Sequence, residues 1–565
     1  MSTSPALTTE NQSRLSGLAA WICSPDVLLR LTFLLLLAAY AQTFFSELVY
    51  DDHDLLELNP WVTSWKYVPV IFQKSFWQFA DWKRLTDYYR PIVMLLFIVV
   101  RQICGTAPAW FHIAVVLVHV AAVYLSFSFV RRLTGNASLA ALSAALFGLN
   151  PGRVESVAWI SGVSDSLCLA FFLGAAILFL KWEETGAKRW LAISAGLMFL
   201  AILSKEVVIL GPVALAVHAF SRRDGSWRER TRYMIAAMIP YGVVVTVALA
   251  ARLHALPRFN AQEDYQVRLA ATIFSAPEAI LWYVRQQIWP NPVSIQYPLL
   301  IVKEFSWLHF ALPLIAVHCI FGGIAYAVRR SAAGRFLFAW SLLTLAPAIA
   351  YHITIQVHDR YAYLPSLAAS AGIAYVMLQV LDRKPRLKAV CIPLLLASLA
   401  LLTFHQAAFW DNDIKVFEHA VQVGHDHSDA YAGLVTAYAD RGMSAEQRDA
   451  IERWIANTPD SPYRGWYAMF SYQMGQRDYS AARQAFDKAK PGMTTARVNQ
   501  GLGMIAMAEG RCVDAERYFR VTAAARPLMA EWHTRLAAAL GCQGRKQEAL
   551  EELKYAWKLR DQAAE

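Results

Sequence analysis

The sequence predicts an all-α chain in two parts, a polytopic membrane bundle of about eleven spans followed after Trp410 by an α-solenoid. Three observations predict it. Of 565 residues, 56% are hydrophobic and only 17% charged, with mean hydropathy +0.32, whereas a soluble domain carries about a quarter charged residues. Apolar runs long enough to cross a bilayer alternate with short basic loops as far as residue 405. Beyond that, small residues recur at a long fixed spacing. The first two observations exclude an ordinary cytosolic enzyme.

The charge separates the parts. From Asp411 onward there are 20 Lys+Arg and 21 Asp+Glu, against 33 and 22 in residues 1–410, so the net charge of +10 belongs to the apolar part. A nucleic-acid binder would instead concentrate its basic residues on a polar domain. Here membrane topology accounts for the excess, and no nucleic-acid partner is expected.

The elements follow in order. Residues 1–26 read as a cytoplasmic tail. The run LLRLTFLLLLAAYAQTFF within 27–45 has no small-residue cleavage site, so it reads as an anchor and not a removable signal. Five basic loops, at 131–132, 181–189, 222–232, 329–335 and 383–388, hold 17 Lys+Arg. The positive-inside bias places them in the cytoplasm. The resulting spans are 28–45, 110–130, 137–150, 166–181, 190–204, 207–221, 233–251, 307–328, 335–351, 363–381 and 388–405. An odd count puts residues 411–565 outside.

The membrane domain is thus 27–410, with two large outer loops at 46–109 and 252–306. Both mix Trp, Tyr and basic residues, as in SWKYVPVIFQKSFWQFADWKRLTDYYRP and ILWYVRQQIWPNPVSIQYP. Such mixtures suit helices lying in the headgroup region. The PIVMLLFIVV run in the first loop reads as a dip or as a further span that would upset the count.

In the solenoid, Ala481, Ala515 and Ala549 stand 34 residues apart, and Gly510 and Gly544 repeat the step. Thirty-four is the tetratricopeptide period. Two repeats, 496–529 and 530–565, are clear, while 425–491 holds degenerate ones. Stacked helix pairs form a concave surface, read either as a scaffold for oligomerisation or as a dock for an acceptor polypeptide. Cys512 and Cys542 lie in successive repeats and would pair in an oxidising compartment, but sequence supplies no bond geometry.

Ionisable residues at membrane depth are costly and point to function. Tyr50-Asp51-Asp52-His53 follows the first span directly. Neighbouring carboxylates raise one another's pKa and suit a general base; the structural alternative is a helix cap. Glu155, Asp165, Lys205, Glu206, Asp359 and Arg360 fall on the same outer side. Lys205 and Glu206 would most simply neutralise each other, and Arg360 would either pair with Asp359 or hold a phosphate. A one-sided set of carboxylates and cations suits an anionic lipid-phosphate substrate and a hydroxyl acceptor. It suits a transporter less, since transporter sites lie near the midplane. The paired carboxylates are compatible with a divalent metal, although no ligand set of defined spacing accompanies them.

Seven motifs in order, YDDH, YYRPIVMLLF, WFHIAVVLVH, NPGRVESVAWISGVSDSL, LSKEVVI, ILWYVRQQIWPNPVSIQYP and HDRYAYLPS, followed by the repeats, resemble the transmembrane O-mannosyltransferases with tetratricopeptide repeats and their bacterial relatives, within the C-type (GT-C) glycosyltransferases. The resemblance implies a polytopic GT-C helical domain in the bacterial inner membrane, with periplasmic repeats. It implies inverting transfer of a monosaccharide from a polyprenyl-phosphate donor to a hydroxyl, on protein Ser/Thr or on a surface glycan. Asp51 or Asp52 would be the catalytic base. Glu155 and Asp165 would orient the acceptor or donor sugar, and Lys205, Arg285 and Arg360 would hold the lipid phosphate. His53, Glu206, Asp359 and Tyr361 complete the substrate-binding set. The relatives commonly have HPVHTE where this chain has NPGRVE; Asn150 and Arg153 replace both histidines and leave the donor sugar open. Transfer of a lipid-linked oligosaccharide, and a membrane scaffold whose repeats recruit partners, are the alternatives.

Overall fold

The computed structural model describes residues 23–80, 88–256, 269–298, 301–352, 357–459 and 462–564, and these contain helices and turns but no strand. Most of the tail, residues 1–22, lies outside them, as do 81–87 of the first loop and 257–268 and 299–300 of the second. The chain divides into two compact units. The first comprises residues 1–52, 89–295 and 299–412, and the second comprises 53–88, 296–298 and 413–565. The first outer loop is therefore shared, with its His53–Tyr88 stretch grouped with the repeats.

In the first unit the helices are α1 Pro25–Tyr40, α2 Pro91–Cys104, α3 Pro108–Thr134, α4 Ala137–Gly148, α5 Val163–Thr185, α6 Lys188–Ser204, α7 Gly211–Arg222, α8 Trp227–Ala255, α9 Leu269–Ile288, α10 Leu312–Val328, α11 Ala332–His352, α12 Ser366–Leu381 and α13 Pro385–Ala407. Local chemistry sets their ends. Proline, which has no N–H to lose and a helix-ready φ, opens α1, α2, α3 and α13. Asn136 caps α4 by accepting from the Leu139 N–H at 2.9 Å. Ser226 and Glu229 close a reciprocal capping box on α8.

Six helical segments, 25–45, 108–134, 160–185, 227–255, 307–328 and 385–410, are long and apolar enough to cross a membrane, so the chain is a membrane protein. Each of the eleven expected spans coincides with a helix, but α2 and α9 are two more. The PIVMLLFIVV run forms α2. Burial ranks the spans from centre to edge of this unit: 72% of the apolar stretch of α5 is buried, against 6% of that of α10. α5 packs on α3 and α6, and α4 packs on α1, α3 and α12. The exposed flank of α10 carries Leu312, Ile315, Ile320 and Ile324, an apolar face of the kind lipid covers.

The aromatic residues of the first loop do not form long interfacial helices. They fold into one-turn helices at Pro60–Thr63, Trp65–Tyr67 and Val68–Ile71. Trp61, Phe76 and Trp77 are buried, since a ring that finds apolar partners gains more from burial than from an interface.

The second unit carries α14 Asp413–Val423 and then four helix pairs: α15 Ser428–Asp440 with α16 Ser444–Asn457, α17 Tyr463–Gly475 with α18 Tyr479–Ala489, α19 Thr495–Ala508 with α20 Cys512–Ala525, and α21 Ala530–Cys542 with α22 Lys546–Ala564. The pairs of 425–491, degenerate in sequence, are as regular as the others. In all four, one residue after the first helix takes a left-handed conformation: Gly442, Arg477, Gly510 and Gly544. The following N–H, of Met443, Asp478, Arg511 and Lys546's neighbour Arg545, then bonds the carbonyl five residues back, the Schellman closure. Cys512 and Cys542 form a disulfide with Cα atoms 5.9 Å apart, which joins the last two pairs and settles the question the sequence leaves open.

Arg477 alone among the four turn residues has a side chain, at φ 61°. A Cβ there costs about 1 kcal/mol relative to glycine. Arg477→Gly is accordingly expected to stabilise the repeats by about that amount, read as a higher urea midpoint for protease protection of α17 and α18 in the detergent-solubilised chain. An unchanged or lower midpoint contradicts the strain.

Candidate active site

The site is built on a turn that follows α1. Tyr50 has φ 53°, a left-handed conformation that bulky residues rarely adopt. It turns the chain into the helical start at Asp51 and Asp52. Asp52 is fully buried. One of its oxygens accepts from the Ser161 N–H at 2.8 Å and from the Ser161 hydroxyl, and the other accepts from the Val49 N–H at 3.4 Å. Burial pushes the Asp52 carboxyl up to about 7, against the opposing pull of the Ser161 donors. Asp51 is only half-buried. The two carboxylates, equivalent in sequence, thus differ: one fixes the turn, the other sits at its surface.

Ser161 belongs to the turn Ile160–Gly162, which lies on the backbone of the NPGRVE segment. A Cβ on Gly162 would stand 2.5 Å from the Glu155 carbonyl oxygen and 2.9 Å from the Ser156 Cα. Glycine is what lets the two segments touch. Trp159, just before, takes the Tyr50 ring at 5.9 Å and the Arg360 guanidinium at 5.0 Å. The Asp turn and Arg360 therefore meet on one indole.

Around Arg360 the charges form a connected network. Glu155 is fully buried; one oxygen accepts from the Arg360 backbone N–H at 2.9 Å, and the other lies 3.3 Å from His358 Nδ1 and 3.5 Å from the Arg360 guanidinium. Burial alone would push the Glu155 carboxyl up, but Arg360 and His358 hold it below its ordinary value. Arg360 and Lys205 both approach the Tyr361 ring, at 5.3 and 5.5 Å. Asp359 is buried and accepts from Gln286 Nε2 at 3.3 Å.

Lys205 and Glu206 do not neutralise each other as the sequence suggests. Lys205 leaves α6 in extended backbone and Glu206 starts a 3-10 turn, so adjacent side chains diverge. Lys205 Nζ pairs with Asp165 at 2.5 Å, both groups buried. Glu206 takes a two-point bond from Arg90, at 2.7 and 3.1 Å, the planar fork geometry in which arginine excels.

Of the predicted residues, the structure brings Asp51, Asp52, Glu155, Asp165, Lys205, Glu206, Asp359, Arg360 and Tyr361 into the first unit on connected turns. Two lie elsewhere. Arg285 is exposed at the end of α9, where it donates to the Asn291 carbonyl at 2.8 Å. His53 belongs to the second unit, between Glu57 at 2.8 Å and Asp413 at 3.0 Å. Sequence reasoning missed Arg90, Ser161, Trp159 and His358. The first was signalled by its position before Pro91, which keeps it out of helical backbone; a serine and a tryptophan in a loop gave no signal. Arg153, noted only as a departure, is buried, donates to Gln287 at 3.1 Å and leaves Nε and Nη1 without a partner among the described residues. No group of three or more His, Cys, Asp or Glu among the described residues is placed to hold a metal ion.

No protein-family model matches the chain. Among curated proteins, Protein O-mannosyl-transferase F38B6.6 of Caenorhabditis elegans is 21% identical over 440 residues, covering 75% of this chain and 61% of the relative. The chain resembles the protein O-mannosyl-transferases of the TMTC group. Protein O-mannosyl-transferase TMTC3 of Mus musculus is 23% identical over 69% of the chain and 47% of its own length. TMTC2 of Homo sapiens is 30% identical over 165 residues, 27% of the chain. The matched part of the chain covers 61% of the first of these relatives, 47% of the second and 19% of the third. A solved structure, MamA, matches 27% of the chain at 18% identity with a TM-score of 0.23, too low to carry an argument.

Proposed function

We propose that the protein transfers a monosaccharide from a polyprenyl-phosphate donor to a hydroxyl of an acceptor polypeptide at the periplasmic face of the bacterial inner membrane, with inversion and with Asp51 as the base. The observation that carries this reading is the Trp159 junction, where the Asp51–Asp52 turn and the Arg360 cation pack on one ring. The O-mannosyl-transferase resemblance supports the reaction class, and it makes mannose the first sugar to test.

In the proposed step Asp51 takes the proton of the acceptor hydroxyl, whose oxygen attacks the anomeric carbon from the face opposite the phosphate. The bond from that carbon to the phosphate oxygen breaks, and polyprenyl phosphate leaves with the electron pair. Its charge needs a cation with access. Lys205 is committed to Asp165 and Arg90 to Glu206. Arg360 is 21% exposed and carries its guanidinium over the Trp159 ring that also takes Tyr50 of the Asp turn, so it is assigned the phosphate. Glu155 and Asp165 fix the positions of Arg360 and Lys205 and thereby the sugar-binding surface.

The test is reconstitution of the purified chain in vesicles with labelled polyprenyl-phosphate mannose and a Ser/Thr-rich peptide. Label is expected to move to the peptide. If neither transfer nor release of sugar occurs with mannose or with other polyprenyl-linked monosaccharides, the reading fails. Arg360→Ala is expected to raise the donor KM by about 10–100-fold, since a hydrogen bond to a charged group contributes roughly 1.5–3 kcal/mol. An unchanged KM removes the phosphate assignment.

A further inference from the structure

The WFHIAVVLVH motif gives α3 two histidines that the proposed step leaves without a role. His112 and His119 are both fully buried. Their spacing is close to two full turns, so they share one face of the helix, about 10 Å apart along it. An ionisable side chain inside an apolar helix is costly and needs a reason. Each ring ends on a segment of the site. His112 Nε2 donates to the Glu47 carbonyl at 3.3 Å, in the irregular stretch 46–49 that leads into the Asp turn. His119 Nε2 donates to the Gly148 carbonyl at 3.2 Å, and its Nδ1 accepts from the Tyr363 hydroxyl at 2.7 Å, the two bonds open to a neutral imidazole. Gly148 ends α4, whose last carbonyls have no partner within the helix, and the chain runs on from there to Glu155. A Cβ on Gly148 would stand 2.7 Å from the Val123 side chain, so glycine lets the end of α4 reach α3 one turn from His119. Tyr363 closes the Arg360 turn, its N–H donating to the Arg360 carbonyl at 3.1 Å. The rings of Tyr40, Phe147 and Tyr363 lock the His119 ring, with centroids 5.9, 6.1 and 5.8 Å away.

We propose that His112 and His119 are positioning residues that divide the site between them: His112 holds the turn carrying Asp51, and His119 holds the two segments that carry Glu155 and Arg360. One helix thereby sets the base against the phosphate-binding cation. This role in turnover rests on the transferase reading, whereas the holding of the segments does not. Neither ring touches substrate or changes its proton. A displacement of about 1 Å at a reacting group can cost about 100-fold in rate, so a lost bond to the Glu47 carbonyl, close along the chain to Asp51, is enough to be felt there.

The experiment compares His112→Met and His119→Met in the full chain, by turnover and donor KM in vesicles with labelled polyprenyl-phosphate mannose and by amide hydrogen exchange. His112→Met is expected to lower kcat by about tenfold or more with an unchanged donor KM, and to speed exchange in 46–53 but not in 359–364. His119→Met is expected to raise the donor KM by about tenfold, the effect of one hydrogen bond lost at the cation, and to speed exchange in 359–364 but not in 46–53. On an Asp51→Asn background the His112 change should cost little more, and on an Arg360→Ala background the same should hold for His119, since residues that act through one another are not additive. His112→Gln, whose amide can donate from the place of Nε2, should restore most of the turnover. If His119→Met does not accumulate, His119→Gln, which can reach Gly148 but then gives up Tyr363, carries the same comparison. Exchange that rises in both segments with either variant, additive losses in both cycles, or a His112→Gln chain as slow as His112→Met overturns the proposal. If the unsubstituted chain shows no transfer while exchange divides as expected, the reaction is wrong and the holding of the two segments stands.

Discussion

Asp51→Asn is expected to lower turnover by about 10²–10⁴-fold, the usual contribution of a positioned general base, with donor binding retained. The neighbouring change, Asp52→Asn, is expected to cost far less. Asp52 is fully buried and its oxygens are occupied by Ser161 and Val49, so it has no face to offer a substrate hydroxyl. An asparagine keeps the oxygen that accepts from Ser161. Turnover and donor affinity, measured separately for each variant in vesicles, decide between them. The reverse order of effects would make Asp52 the base and Asp51 its neighbour.

Asp52 has a second readout. Burial holds its carboxyl up to about 7, above an ordinary value of 3.8. The folded chain therefore keeps a proton through a range in which the unfolded chain has lost it. Stability is full below the unfolded value and falls as pH rises through the folded one. The decline between about 4 and 7 should flatten in Asp52→Asn and persist in Asp51→Asn, as followed by thermal unfolding in detergent.

What the sequence made legible here was whatever depends on position along the chain. Charge bias and apolar length located the eleven expected helices, because the bilayer imposes its period on one segment at a time. The 34-residue step located the last two repeats. Of the two earlier pairs, the second was obscured because Arg477 occupies a left-handed turn that in the other three carries glycine. The pattern of backbone persists there while its most visible residue has changed. In the site, the acidic and basic residues were legible as a set, since charge near a membrane is costly wherever it occurs. Their partners were not. Lys205 and Glu206 are adjacent in sequence, yet they pair with Asp165 and Arg90, and those choices are made by the packing of α5, α6 and α2. Neither the turn that lets Ser161 reach Asp52 nor the bare Gly162 surface under it has any signature in composition.

The Lys205–Asp165 pair gives the largest expected effect on stability and separates structure from function. Both groups are almost wholly buried and 2.5 Å apart. Lys205→Met leaves the Asp165 carboxylate buried without its cation, a change that typically costs 3–5 kcal/mol, so the variant should unfold at a markedly lower temperature or fail to accumulate. Asp165→Leu should do the same by stranding the ammonium. The double variant replaces both charges with apolar groups of similar size and is expected to recover most of that loss, because well-packed apolar replacements of buried pairs are often neutral. If the pair serves only the fold, the recovered double variant will also recover turnover. The proposed reaction demands otherwise. Asp165 is held within the network that connects through Lys205 and Tyr361 to Arg360, and removal of two charges from that network should leave a folded chain with impaired transfer. A stable double variant with full activity would reduce the pair to a structural role and would withdraw both residues from the substrate-binding set.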